Sequence, residues 1–242
     1  MMSEDEDIQL IKDGKRIDGR EVDEMREMEA KAGVIERATG SGYFRLGKTE
    51  AIAAVHGPRE LHPRHLQDPL KAYLRCRYNM APFSTEDRIR PGPSRRSTEI
   101  SKVITDSFKN VIFLEEFPNT GIDVFIEVLQ ANASTRCVSI NAASIALADA
   151  GIPMKDLVSS VAVGKVEDQI VLDVVGKEDS KGEVDLPIAY VPKTDEITLL
   201  QMDGIIDKEK LMNGLKKAKE GCMKIYEKQR EALKEKYTKI EG

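Results

Sequence analysis

The stretch from Arg136 to Ala150 leaves the chain the least freedom. It reads as a helix built largely of small residues, with Ala142, Ala143, Ser144, Ala146 and Ala148 in its middle and few charges anywhere. A helix with no polar face has nothing to offer water, so other elements must enclose it. Small side chains let those elements come close to its backbone. Gly151 and Pro153 end it. Just before it, Gly121 to Leu129 alternates, with Ile122, Val124, Ile126 and Val128 on one face, which is the pattern of a strand. The rest of the chain has to supply the helix with cover.

Apolar stretches at 32–35, 42–47 and 50–55 alternate with glycine-rich turns, which predicts an antiparallel meander ending at His56-Gly57-Pro58. Tyr73 to Met80 alternates too, with Leu74, Cys76, Tyr78 and Met80 on one face and Arg75, Arg77 and Asn79 on the other. A helix opens at Ser94 to Glu99, with Ser94 or Ser97 as its cap, and continues through Ile100, Val103, Ile104, Phe108, Val111 and Ile112. After Pro153 the pattern restarts. Val158 to Val163 and Gln169 to Val175 read as a hairpin, followed by strands at Leu186 to Val191 and Ile197 to Met202. A long amphipathic helix spans Asp207 to Tyr237. Strands then helices, twice over, predict an α+β chain of two similar halves meeting near Gly151-Ile152-Pro153.

The chain of 242 residues has a formal net charge of −5, which argues against a protein that coats DNA by charge alone. The distribution is uneven. From His56 to Arg96 there are nine Lys or Arg against four Asp or Glu, a local basic patch suited to a polyanion channel. Arg95 and Arg96 stand at a helix N-terminus that is already partly positive, so they fit an anion there or tolerate exposure. Ser134, Thr135 and Arg136 open the small-residue helix with hydroxyls, free N–H groups and a planar cation, a junction suited to phosphate. It is not a Walker loop, because the Gly-x-x-x-x-Gly-Lys pattern is missing.

All three histidines fall between His56 and His65, in a spacing that matches no standard metal-ligand pattern. Cys76, Cys137 and Cys222 are far apart and form no CxxC pair, which fits a reducing cytosol. The start, Met1 to Asp7, is acidic where a secretory signal is basic and then apolar, and no apolar run approaches membrane-spanning length. A cytoplasmic protein with no membrane partner is expected.

The segment Lys177 to Pro187 carries Glu178, Asp179, Glu183 and Asp185 between two apolar runs. Strands are expected on both sides, with Ser180-Lys181-Gly182 as the bend. Asp179 and Asp185, flanking that bend, can converge so that one stays ionised while the other holds a proton or both share a cation. A solvated acidic turn would carry the same residues.

Taken in order, Ile17-Asp18-Gly19-Arg20, His62-Pro63-Arg64-His65, Pro82-Phe83-Ser84-Thr85, Ser94-Arg95-Arg96-Ser97, Thr135-Arg136, the run Ala146 to Pro153, and Glu178-Asp179 to Asp185-Leu186-Pro187 resemble the RNase PH family. Within it they are most similar to the catalytic ring subunits of archaeal exosomes. The resemblance covers roughly residues 15 to 235 and implies the RNase PH fold, α+β, with two similar subdomains of mixed or antiparallel sheet and packed helices. It divides the chain into residues 16–150, binding RNA and phosphate, and residues 153–237, with the carboxylates and the C-terminal helix, after a flexible acidic start at 1–15. It implies a phosphate-dependent 3′→5′ exoribonuclease that releases nucleoside diphosphates and runs backwards to add tails.

By the same resemblance Asp179 is the acid or metal-linked carboxylate, and Asp185 is the second, with Mg²⁺ bridging them. Ser134, Thr135 and Arg136 hold the attacking inorganic phosphate, the co-substrate. Arg95 and Arg96 clamp single-stranded RNA, and Arg64 lies at the pore constriction. Implied partners are an inactive RNase PH-like paralogue, alternating with this chain in a hexameric ring (a trimer of heterodimers), and RNA-binding cap proteins. A non-catalytic ring scaffold and a stand-alone homohexamer that trims tRNA are the alternatives. One departure stands out: the family often has Asp-Gly-Gly before Thr-Arg or Ser-Arg, whereas this chain has Asn132-Ala133-Ser134, with less backbone freedom.

Overall fold

The small-residue helix lies between two sheets, as its composition requires. A computed structural model describes residues 9–12 and 14–238. In chain order these form β1 (Ile11–Lys12), β2 (Lys15–Arg16), β3 (Met28–Ala32), β4 (Gly40–Leu46), β5 (Thr49–Glu60), β6 (Tyr73–Met80), α1 (Arg95–Lys109), β7 (Thr120–Gln130) and α2 (Thr135–Asp149). Then come β8 (Ser159–Val166), β9 (Gln169–Leu172), α3 (Lys177–Lys181), β10 (Val184–Val191), β11 (Glu196–Leu200), β12 (Asp203–Gly204) and α4 (Lys208–Thr238). The first large sheet has the order β3-β4-β5-β7-β6, and the second β11-β10-β8-β9 with β12 also on β10. Their pairings are antiparallel except β6 with β7, which are parallel and joined through α1.

Every residue of α2 except Arg136 and Ala148 is buried. The helix packs on β4, β5 and β7 on one side and on β8 and β10 on the other. Gly40 and Gly42 of β4 permit this approach: a Cβ at those positions would fall 2.1 Å from the Ala150 nitrogen and 2.4 Å from the Ala142 carbonyl oxygen. The polar members of α2 are matched to β8. The Asn141 amide pairs with Ser160 at 2.9 and 2.7 Å, and the Ser144 hydroxyl accepts from the Val158 N–H at 2.9 Å. The two halves therefore share one core, with Phe44 and Ile126 from the first sheet in the same cluster as Ile145 of α2, Val161 and Leu186 of the second sheet, and Ile225 of α4.

Helix α1 begins at Ser94, whose side chain and that of Ser97 form a reciprocal capping box. The helix covers the free edge of β6. Ser101 and Thr105 accept from the N–H groups of Tyr78 and Cys76 at 2.9 and 3.1 Å, donors that an edge strand would otherwise leave open.

Several boundaries differ from expectation. The first strand of the meander is Met28–Ala32 and not 32–35, because the chain turns at Gly33, whose N–H bonds the Ser41 carbonyl at 2.8 Å. Strand β5 does not stop at His56-Gly57-Pro58. It passes an irregularity between His56 and Arg59 and runs on to Glu60. Of the expected loose start at 1–15, residues 1–8 and 13 lie outside the described residues. Leu10 and Ile11 are buried against Val166, Val171 and Val174. Lastly, the acidic bend is a helix. Strand β9 ends at Leu172, Asp173 takes a left-handed backbone (φ 61°), and residues 177–181 make one helical turn.

Candidate active site

Two chain segments from opposite halves of the molecule meet in a cleft of about 790 Å³. One is the β7–α2 junction, and the other runs from α3 into β10. The cleft is lined by Arg96, Ser134, Thr135, Arg136, Asp179 and Asp185, and also by Glu99, Gln201 and Asp203. Six of the eight residues expected from sequence are thus brought together. Arg95, the first residue of α1, is exposed and does not line the cleft, while Arg96 does. Arg64 sits in a short 3₁₀ turn away from it, with its side chain 82% exposed and 4.0 Å from Glu60.

The β7–α2 junction keeps a glycine-like backbone without glycine. Ala133 (φ 59°) and Ser134 (φ 54°) both adopt the left-handed conformation, which is costly for residues with a Cβ. Neighbours enforce it. The Thr49 hydroxyl lies 2.9 Å from the carbonyl oxygens of both Asn132 and Ala133, and Arg26 Nη1 donates to the Asn132 carbonyl at 2.8 Å. The Ser134 hydroxyl does not cap α2; it donates to the Val174 carbonyl at 2.9 Å. The Thr135 hydroxyl is buried and accepts from Tyr78 Oη at 3.1 Å. Both hydroxyls thus have protein partners. The anion donors left at this corner are the uncapped first-turn N–H groups of α2, the Thr135 hydroxyl, which accepts from Tyr78 and keeps its own proton to donate, and the guanidinium of Arg136. Arg136 leaves Nε buried without a partner, while its Nη2 lies 3.6 Å from Glu99.

The acid side is fixed from below by arginines near the start of the chain. Glu178 is buried and receives Arg16 through Nε at 2.8 Å and through Nη2. Asp173, also buried, receives Arg26 Nε at 2.8 Å and Nη2 at 2.6 Å, and Arg20 Nη1 at 3.1 Å. Glu178 is therefore a structural anchor and not a bystander. It holds α3, whose next residue, Asp179, is exposed to the cleft. These arginines were hard to see because Asp18, Glu21, Asp23, Glu24 and Glu27 surround them and make the segment look like ordinary charged surface.

The two carboxyls of the cleft sit in different surroundings. Asp185 is half-buried on β10, directly opposite Asp203 of β12. Burial, then the charge of Asp179, pushes its carboxyl up to about 6, against the opposing pull of Arg136. One oxygen of Asp185, Oδ1, is buried with no hydrogen-bond partner. Among the described residues no group of three or more His, Cys, Asp or Glu is arranged to hold a metal ion, and no helix is long and apolar enough to cross a membrane.

Carboxyls facing an arginine-lined helix N-terminus across an open cleft define a site for a phosphate ester chain, an enzyme of phosphoryl or nucleotidyl transfer type. Comparison with known proteins narrows the class. Residues 24–153 match the model of the 3′ exoribonuclease family, domain 1, and residues 156–221 match its domain 2. The chain belongs to this family, the RNase PH family. It is 56% identical over 241 residues to the exosome complex component Rrp41 of Pyrococcus abyssi, covering 99% of this chain and 97% of that protein. Similar proteins of the same name occur in Methanopyrus kandleri (56% over 228 residues; 94% and 95% covered) and Archaeoglobus fulgidus (53% over 234 residues; 96% and 91% covered). The crystal structure of rice (Oryza sativa) Rrp46 has the same fold, with a TM-score of 0.82 at 22% identity, covering 90% of this chain and all of that one.

Proposed function

We propose that the protein is the catalytic RNase PH-like component of an archaeal exosome, a phosphorolytic 3′→5′ exoribonuclease. The observation that carries this reading is the convergence of Asp179 and Asp185 with Arg96, Arg136 and the open start of α2 in one cleft. Inorganic phosphate occupies the α2 start, bound by backbone N–H groups, the Thr135 hydroxyl and Arg136. Arg96, with Arg95 beside it, holds the RNA backbone near its 3′ end. An oxygen of the phosphate attacks the terminal phosphorus of the RNA, and the bond to the 3′ oxygen of the preceding nucleotide breaks. That oxygen takes a proton from the carboxyl pair, in which Asp185 can still hold one near neutral pH. A nucleoside diphosphate leaves, and the reverse reaction extends RNA. Bringing two phosphates together needs positioning and charge neutralisation more than covalent catalysis.

The carboxyls also fit Mg²⁺, because Asp185 Oδ1 is a buried acceptor without a partner and Mg²⁺ is commonly bound by one or two carboxylates plus substrate phosphates. Such an ion would neutralise charge between the two phosphates and is the alternative to a proton on Asp185, because a bound cation would hold that carboxyl ionised. The assembly proposed is a cytoplasmic hexameric ring in which this chain alternates with an inactive paralogue, Arg64 faces the RNA path at the pore, and RNA-binding cap proteins sit on one face. The relatives named as exosome components support it.

The test is to incubate the chain, alone and with its ring partner, with labelled single-stranded RNA with and without phosphate. Nucleoside diphosphates should form only when phosphate is present, and Asp179→Asn should bind RNA but not turn it over. Nucleoside monophosphates released without phosphate would make the enzyme a hydrolase and refute the reading.

A further inference from the structure

The acid half and the phosphate half of the site lie on different sheets, and the buried side chain of Arg26 spans them, beside the Ser134 hydroxyl that donates to the Val174 carbonyl. Arg26 precedes β3 and is 8% exposed. Toward the acid half it donates its backbone N–H to Asp173 Oδ2 at 2.9 Å, Nε to the same oxygen at 2.8 Å, and Nη2 to Oδ1 at 2.6 Å. Toward the phosphate half it donates Nη1 to the Asn132 carbonyl at 2.8 Å, and the same nitrogen lies 3.4 Å from the Thr49 hydroxyl. Asp173 is where β9 breaks off toward α3 and Asp179, and Asn132 leads into the strained pair Ala133 and Ser134. The planar fork of a guanidinium meets both oxygens of a carboxylate on one edge while a separate nitrogen reaches a carbonyl on another; an ammonium concentrates its donors on one atom and cannot reproduce that spread. The turn between β4 and β5 closes over its stem, since a Cβ at Gly47 would fall 2.6 Å from Arg26 Cδ.

We infer that Arg26 is a positioning residue for the reaction, setting the distance between the phosphate-binding start of α2 and the carboxylates of α3 and β10. The inference rests on the phosphorolytic reading of that cleft. Arg26 does not line the cleft, so it acts through the groups it holds, chiefly Asn132 and Asp173. A small opening of the cleft separates nucleophile, scissile phosphorus and acid, and a displacement near 1 Å lowers turnover by about 100-fold. The RNA clamp at Arg96 stands on α1 and does not depend on this brace.

The experiment compares wild type, Arg26→Ala, Arg26→Lys and Thr49→Val in the full chain with its ring partner. It measures kcat, KM for inorganic phosphate, and single-stranded RNA affinity. Arg26→Ala should lower kcat by about 10- to 100-fold and raise KM for phosphate, with RNA affinity unchanged. Low millimolar guanidinium should restore much of the lost rate through the adjoining cleft of about 410 Å³ that Arg26 helps line, whereas ammonium should not. Arg26→Lys should not recover activity. Thr49→Val keeps Arg26 on Asp173 and Asn132 but removes the hydroxyl beside the Asn132 and Ala133 carbonyls, so it should raise KM for phosphate even if Arg26→Ala folds poorly. The inference is overturned if kcat and KM for phosphate stay within about twofold of wild type in Arg26→Ala. It is also overturned if the losses follow loss of folded protein without guanidinium rescue while Thr49→Val behaves as wild type. A wild-type chain that makes no nucleoside diphosphate overturns the phosphorolytic reading itself.

Discussion

Replacing Glu178 with glutamine keeps the shape of the side chain and removes its charge. In the folded chain Arg16 and Glu178 have side-chain exposures of 0% and 2%, and they meet through two nitrogens and two oxygens. Glu178 Oε2 also accepts from the Val175 N–H at 3.1 Å, which ties the turn before α3 to the same group. Removing one partner of such a pair leaves the other charge buried and costs about 3–5 kcal/mol. For a chain of this size that corresponds to a fall in Tm of about 6–20 °C. Helix α3 is only five residues long, too short to persist without an anchor, so Asp179 should lose its position as well and kcat should fall. The double variant Arg16→Met/Glu178→Met separates the two effects. Apolar replacement of both partners should return most of the stability, yet kcat should stay low because nothing then fixes α3. Thermal melting followed by circular dichroism gives the first quantity. Phosphorolysis well below both midpoints gives the second. A Glu178→Gln variant that loses less than about 1 kcal/mol would put the pair in the class of surface ion pairs and refute the reasoning. Wild-type kcat in the double variant would show that Asp179 needs no anchor.

Two further outcomes are expected. Because the Asp185 carboxyl is raised from 3.8 to about 6, the folded chain holds a proton there that the unfolded chain has already lost, so stability should fall by up to about 3 kcal/mol as pH rises from about 4 to 6. Asp185→Asn should remove that decline, and parallel melting curves for wild type and variant across the range would contradict it. Arg96→Ala should weaken RNA binding and reduce the slope of log affinity against log salt by about 0.7, the value for one phosphate contact on a single strand, and an unchanged slope would remove Arg96 from the RNA clamp.

The mixed charge of the segment from Lys15 to Glu27 conceals a division of labour. Arg16, Arg20 and Arg26 turn inward onto Glu178 and Asp173, while Lys15, Asp18 and Glu21 stay exposed. Nothing in the local pattern separates the two groups, because burial of a charge is decided by the partner it meets. Those partners lie about 150 residues away along the chain. The same is true of the acidic bend. Its composition predicted a turn between strands, and it is a helical turn whose buried Glu178 pairs with Arg16.

Periodicity alone marked most of the strands and all three long helices, since alternation and helical spacing are local consequences of which faces are covered. The bareness of Cys137 to Leu147 already required an enclosed helix, and the ordered set of motifs pointed to the family and to Asp179, Asp185, Arg96 and the start of α2. Tertiary structure decided what no local pattern encodes. Both halves share one core through α2, the Ser134 hydroxyl donates to Val174 while that of Thr135 accepts from Tyr78, and Asp185 is a carboxyl raised toward neutrality. Each of these depends on which distant group arrives within hydrogen-bonding or Coulombic range, and that is set only when the two sheets close on the central helix.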